Sequence, residues 1–447
     1  MEFDSVFLSR MLTSLTLGFH IIFATIGVGV PVMISIAEYI GIKKNDPYYI
    51  LLARRWARGF TITVAVGVVT GTSIGLQLSL LWPSFMKIAG QAISLPLFME
   101  TFAFFFEAIF LSIYLYTWDR FKKPIYHWLL SIPVVIGSSA SAFFITTVNA
   151  FMNTPQGFEL ANGIITKLDP LKAMFNPATP TKTFHVLTSS YLTSAMILAA
   201  ITAFAMIRGK RGVYEQKALK LTMVATLLFA AGTALAGDLS AKFLAKKQPE
   251  KLAAAEWHFE TEKGADLILF GTLDKNTHNI SNEIRIPKAL SFLAGNSFET
   301  EVIGLDQIPK EEQPPLWIHY LFDLMVLIGF FTLFIAAVYL LLLKWKKGNP
   351  HNKPLLWAIV ASGPLSMLAI EIGWIFAEVG RQPWILRGYM KVTNGATTAN
   401  NVGSMLILFI LLYIALATIS SIVLNKMFKK KPAEVELNER YAHMISK

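Results

Sequence analysis

Residues 354–377 read PLLWAIVASGPLSMLAIEIGWIFA, and the next seven are Glu378-Val379-Gly380-Arg381-Gln382-Pro383-Trp384. The apolar run carries one charge, Glu371, and is long enough to cross a hydrocarbon core of about 30 Å at about 1.5 Å per residue. Glu378 closes it, and a Gly-Arg-Gln-Pro-Trp turn follows. Glu371 and Glu378 are seven residues apart, close to two helical turns, so they share a face. A carboxylate at a membrane helix end is costly, and is paired or functional. Two readings stand for Glu378: a helix-end ion pair with Arg381, or a working group of a site.

Outward from this segment the same pattern recurs. The chain has 447 residues, 54% of them hydrophobic and 15% charged, with mean hydropathy +0.51. A soluble domain carries about a quarter charged residues. Nine apolar runs are expected to span, near 14–41, 57–82, 93–117, 127–151, 183–207, 218–243, 316–343, 354–377 and 399–425. A barrel would show short alternating segments instead. The fold class is an all-α polytopic membrane protein with about nine transmembrane helices in a single membrane domain, 1–447.

The net charge of +11 reads as topology rather than nucleic-acid binding. Lys43, Lys44, Arg54 and Arg55 follow span 1, and Arg120, Lys122 and Lys123 follow span 3. Arg208, Lys210, Arg211 and Lys217 follow span 5; Lys344, Lys346, Lys347 and Lys353 follow span 7; Lys426 and Lys429 to Lys431 follow span 9. The short loop between spans 2 and 3 has only Lys87. The positive-inside rule puts the N-terminus outside and the C-terminus in the cytoplasm. No cleavable signal peptide is expected, because Glu2, Asp4 and Arg10 precede a span too long for one.

There is no cysteine, which removes iron–sulfur clusters, c-type haem attachment, thiolate catalysis and disulfides. Of eight histidines, His20 and His185 lie inside spans, His127 and His319 at span edges, and His258, His278, His351 and His443 in loops or the tail, where solvation is the default. On the expected topology His20, His185, Met325 and Glu378 all fall towards the outer side, each in a different span. Singly, each is ordinary packing; together they form a set of potential iron ligands. In span 3, Glu100 and Glu107 are also seven apart and share a face. They suit a proton relay or a pair of interhelical hydrogen bonds. The longest hydrophilic segment, 244–315, lies outside and contains Lys251 and Glu256. These could pair with each other or bind a polar head group, on what reads by itself as a solvated face with a capped helix. A secondary transporter is the competing reading, with intramembrane carboxylates, Arg381, and spans interrupted by Pro133 and Pro364.

Several motifs in order, over roughly 5–425, resemble subunit I of the cytochrome bd quinol oxidases. They are Trp118-Asp119-Arg120, the His185-to-Tyr191 stretch, Lys251-Leu252-Ala253-Ala254, and Gly373-Trp374 through Glu378 to Trp384. The resemblance implies a multi-pass protein of the bacterial inner membrane that oxidises quinol at the outer face and reduces oxygen to water. It implies His185 and Met325 as the axial pair of a low-spin haem b. His20 and Glu378 would each hold one of two high-spin haems, a haem b and a haem d. Lys251 and Glu256 would contact quinol in the 244–315 loop, and Glu100 and Glu107 would feed protons inward from the cytoplasmic side. Trp374, Arg381, Gln382 and Trp384 would surround the haems. The implied partners are a second large membrane subunit and a very small single-span one. Two positions depart from the family's pattern: the span-3 glutamates are seven apart rather than eight, and Asp323 stands where a basic residue is expected.

Overall fold

The computed structural model describes residues 4–161, 164–274, 277–345 and 348–445. Lys346 and Lys347, counted above among the inner basic residues, lie outside these. Among the described residues nine helices are long and apolar enough to cross a membrane. They are α1 (Ser5–Lys44), α2 (Pro47–Leu81), α3 (Pro83–Tyr116), α4 (Pro124–Asn153, with a turn at Leu130), α5 (Thr179–Ile207), α6 (Val213–Lys247), α7 (Ile318–Trp345), α8 (Lys353–Val379) and α9 (Val402–Lys430).

Most of these helices outrun their apolar cores, because hydropathy marks the hydrocarbon and capping sets the ends. Proline opens α2, α3 and α4, where its missing N–H costs nothing. Asp46 accepts from Tyr48 N–H at the start of α2, and Asn352 from Leu355 N–H at the start of α8. Arg54 and Arg55 therefore lie on α2, not in a loop. Pro364 sits inside continuous helix and Pro133 in the first turn after the break at Leu130, so α8 is not broken at its proline and α4 is interrupted only at Leu130.

The helices α5, α6, α7 and α8 close a ring, each packed on the next and α8 back on α5. The second group is α1 with α2 and α3 with α4, joined to the ring through α1 and α4 against α5. Small residues set the spacing, as van der Waals packing demands in lipid. A Cβ on Gly29 of α1 would fall 2.3 Å from Ser194 Oγ of α5, and one on Gly363 of α8 would fall 2.6 Å from Ala200 Cβ. Helix α9 is the least covered.

The segment between α6 and α7 is ordered in its described part. A short helix, Pro249–Ala255, is followed by three two-stranded antiparallel ribbons and a helix at Ala289–Gly295. The expected solvated face is not there: Lys251 through Trp257 is buried, with Ala253, Ala254 and Ala255 fully so. Nor does a side chain cap the short helix; Pro249 opens it. His258 is buried too, its Nε2 3.1 Å from the Val302 carbonyl. Past α9, a helix at Ala433–Ile445 folds back on α2.

Candidate functional site

His185 and Met325 sit six and seven residues into α5 and α7, diagonal corners of the four-helix ring. Each faces a glycine on a neighbouring helix. A Cβ on Gly237 of α6 would lie 3.8 Å from His185 Cε1, and a Cβ on Gly373 of α8 would lie 3.0 Å from Met325 Sδ. His185 Nδ1 is buried without a hydrogen-bond partner. Such an atom costs free energy unless something else binds the ring.

His20 of α1 faces α2. Its Nδ1 lies 2.8 Å from Thr70 Oγ1, and its Cε1 would lie 3.3 Å from a Cβ on Gly71. The Thr70 hydroxyl already donates to the Val66 carbonyl at 2.9 Å. It can therefore only accept from the ring, which fixes the hydrogen on Nδ1 and leaves the Nε2 lone pair free. Thr70 carries no signal in the sequence, being one hydroxyl four residues after Val66 in an apolar span.

Glu378 is the centre of a charged cluster. Arg381 donates from Nη2 to Glu378 Oε2 at 2.6 Å and from Nε to the Trp384 carbonyl at 3.2 Å. The ion-pair reading of this carboxylate is thus realised, but it uses only part of the guanidinium: Arg381 Nη1 is buried and unpartnered. The other carboxylate oxygen accepts from Asn149 Nδ2 of α4, and Lys182 of α5 donates to Asn149 Oδ1. Four residues on, Asn153 donates to the Asn149 carbonyl at 2.8 Å and accepts from Lys251 Nζ at 3.1 Å. Lys251 also donates to the Ala377 carbonyl at 3.0 Å. Lys182, Lys251 and Arg381 are three basic side chains around one carboxylate. Asn149 and Asn153, spaced by one turn near the end of span 4, are the mark this network leaves in the sequence.

Lys251 and Glu256 do not pair with each other; among the described residues no ion pair joins them. Burial, then the neighbouring Arg381, pushes Lys251 down to about 7. Burial, then Asp323, pushes Glu256 up to about 8, and its Oε2 has no partner. Asp323 has its own task. It accepts from the Phe270 N–H at 2.5 Å, and His319, four residues back, lies 3.3 Å from it. His319 is fully buried, stacks on Trp257 at 3.9 Å, and bonds the Ala255 and Phe270 carbonyls at 2.7 and 3.1 Å. The acidic residue in place of a basic one thus anchors the segment between α6 and α7 to α7.

Glu100 and Glu107 both meet α4, as their spacing predicts. Glu100 Oε1 accepts from Ser141 Oγ at 3.0 Å, and Glu107 packs on Gly137, one turn earlier. Gln382 and Trp384 continue the Arg381 turn, with Gln382–Pro383 cis, and Trp384 pairs in a short ribbon with Lys391. Trp374 and the four candidate ligands are half-buried; none has an exposed, lipid-facing side chain.

These features fit haem. His20 and His185 each keep a ring nitrogen not spent on a protein hydrogen bond, glycines leave recesses beside them, and basic side chains stand near for propionates, while both Glu378 oxygens are bonded to Asn149 and Arg381.

A family description, cytochrome bd terminal oxidase subunit I, matches residues 8–432. A Bacillus subtilis (strain 168) protein assigned as a cytochrome bd menaquinol oxidase subunit I is 42% identical over 97% of this chain and 99% of its own. A cytochrome bd ubiquinol oxidase subunit 1 of the same organism is 31% identical over 95% and 93%. The solved bd oxidase from Geobacillus thermodenitrificans is 62% identical, with a TM-score of 0.92 over 96% of this chain and all of the other. The nine apolar helices among the described residues and these likenesses agree: the chain belongs to the cytochrome bd terminal oxidase subunit I family.

Proposed function

We propose that this chain is the haem-bearing, quinol-oxidising subunit of a terminal oxidase. It works beside a second large membrane subunit and a very small single-span one. His185 and Met325 would hold a low-spin haem b, and His20 and Glu378 would each hold one of two high-spin haems, a b and a d. When bound, these groups carry electrons from quinol and reduce oxygen to water. The observation that carries the reading is the closed α5–α8 ring, with an orphaned imidazole nitrogen on one corner and a thioether beside a glycine on the opposite one.

The chain's own residues do the rest. Two side-chain ligands fill an iron, whereas one leaves a face open to oxygen. Thr70 holds the His20 tautomer. Arg381, through its free Nη1, and Lys182 neutralise propionate charge, and Trp374, Gln382 and Trp384 exclude water around it. Glu256, held in its acid form at pH 7, donates to a quinol oxygen, and Lys251 fixes the other end of the head group. The basic helix ends support a cytoplasmic C-terminus and an outer 244–315 segment. Quinol protons leave on that outer side. Protons for water arrive from the basic side past Glu107 and Glu100. The separation charges the membrane without a pump, at about 2.3 kcal/mol per charge per 100 mV.

Haem spectra of His185→Ala and Met325→Ala test the assignment. Each is expected to lose the low-spin b signal and keep the high-spin bands. A low-spin signal that survives both changes refutes it.

A further inference from the structure

Three ionisable side chains meet far along the helices from the cluster around Glu378, at the end that carries the basic loops. Glu38 lies near the end of α1, Tyr114 near the end of α3 and His127 in the first turns of α4. Their exposures are 3%, 1% and 2%. Tyr114 donates to Glu38 Oε2 at 2.6 Å, and His127 Nδ1 lies 2.6 Å from Glu38 Oε1. His127 Nε2 donates to the Tyr114 carbonyl at 2.8 Å. A carbonyl only accepts, so Nε2 keeps its hydrogen, and the Tyr114 hydrogen is committed to Oε2. The contact between Nδ1 and Oε1 therefore holds a single movable proton, shared by an imidazole and a carboxylate. Apolar side chains of similar volume would join three helix ends as firmly. Ionisable groups in a membrane segment are functional by default.

The triad stands in line with the carboxylates of α3. Glu100, Glu107 and Tyr114 repeat at seven, one stripe on the face that meets Ser141, Gly137 and His127 of α4. Glu107 and Tyr114 are about 10 Å apart along the axis. The interval between them holds a small, almost wholly apolar recess lined by Ile34, Phe60, Leu111 and Val134 beside Tyr114 and Ser131. Towards the surface, the Trp118 ring lies 4.6 Å from that of His127. The Arg54 guanidinium of α2 sits 5.2 Å over Trp118 and grips Asp119, which is 65% exposed. The triad thus stands between a surface ion pair and the buried stripe.

We propose that Glu38, His127 and Tyr114 form the inner proton-loading station of the uptake path that continues through Glu107 and Glu100. The station rests on the oxidase reading given above. A proton taken up from the basic side replaces each one handed towards Glu107, so the triad returns to its starting state and no electron moves through it.

The test uses the complete oxidase in liposomes, reading quinol turnover, proton uptake, haem spectra and anaerobic haem reduction by quinol. In Glu38→Gln, turnover and proton uptake are expected to fall together by tenfold or more. Haem spectra and anaerobic reduction stay as in the parent, and Glu38→Asp recovers most of the turnover. A merely structural triad would not separate electron entry from proton uptake. Glu38→Gln turning over within twofold of the parent overturns the proposal. Should Glu38→Gln not assemble, His127→Gln decides on the same readouts, and loss of haem in both makes the triad structural. Glu107→Gln separates the layers: full turnover there removes the α3 path itself, whereas a slow Glu107→Gln beside a fast Glu38→Gln removes only the station.

Discussion

At the scale of the residue, burial converts ordinary side chains into poised ones. Glu256 has no neighbour to stabilise its charge, and burial, then Asp323, moves it up to about 8. Below that pH it is a neutral donor, and above it an acceptor only. The Michaelis constant for quinol is therefore expected to rise as pH climbs through about 8. In Glu256→Gln, which keeps a donor at every pH, the profile should be flat; steady-state assays from pH 6 to 9 measure this. Asp323 offers a second prediction. A hydrogen bond to a charged group is worth roughly 1.5–3 kcal/mol. Asp323→Ala should release the Phe270 N–H and loosen the 260–274 stretch, read as faster proteolysis there at unchanged protein yield.

Residue types were legible in the sequence where they broke a pattern. His20, His185 and Glu378 stood out as polar groups in apolar runs, and the structure turns each towards another helix. What no pattern displayed was partnership. Thr70 is unremarkable until His20 is seen beside it, and Lys182 reads as a helix-end lysine until Asn149 is placed against it. The solvated reading of Lys251 failed for a related cause. A run of Ala253, Ala254 and Ala255 is only moderately apolar, yet it is small enough to lie flat against α7 and Leu305.

At the scale of the element, helix existence was readable and helix length was not. Periods of apolar residue report the hydrocarbon, whereas α1 begins at Ser5 and α2 at Pro47, well into polar sequence. Close approach is the second element-scale property. The Gly29 contact leaves no room: an added Cβ would also come 2.6 Å from the Ser190 carbonyl, which is backbone and cannot swing away. Overpacking a tight core costs about 1–3 kcal/mol. Gly29→Val is expected to lower the thermal midpoint of the detergent-solubilised oxidase, while Gly67→Val, on a helix with nothing within 4 Å of the added Cβ, serves as the control. A midpoint unchanged in Gly29→Val would show that α1 and α5 can separate at little cost.

At the scale of the whole molecule, the last helix ties the chain's end to its first hairpin. Glu436 is fully buried and accepts from Arg55 Nη1 at 3.0 Å and Arg58 Nη2 at 2.5 Å, with Arg440 Nε at 3.4 Å. Arg55 also donates to the Lys431 carbonyl at 2.8 Å, and Leu437 and Tyr441 pack on Leu51. Burial works to raise the Glu436 carboxyl, but Arg58 and Arg55 outweigh it and hold it below the usual carboxylate range. A depressed acid stabilises fully above its unfolded pKa and loses that contribution as pH falls through the folded one. The 433–445 helix should therefore undock on acidification below about pH 4, and Glu436→Gln should undock it at neutral pH. Hydrogen exchange of that segment reads both. Breaking a buried pair costs roughly 3–5 kcal/mol, so protection should drop by a factor of 100 or more.

The same knot has a temporal side. Arg55 and Glu436 are 381 positions apart, so the carboxylate is made long after the two arginines. While the ribosome is still threading later spans into the bilayer, the end of the first hairpin carries its full positive charge. That is the interval in which a nascent chain commits to an orientation, and the charge that resists translocation is then at its greatest. Only after the ninth span has been made does the acid arrive to cancel it, at a moment when cancellation no longer threatens the topology.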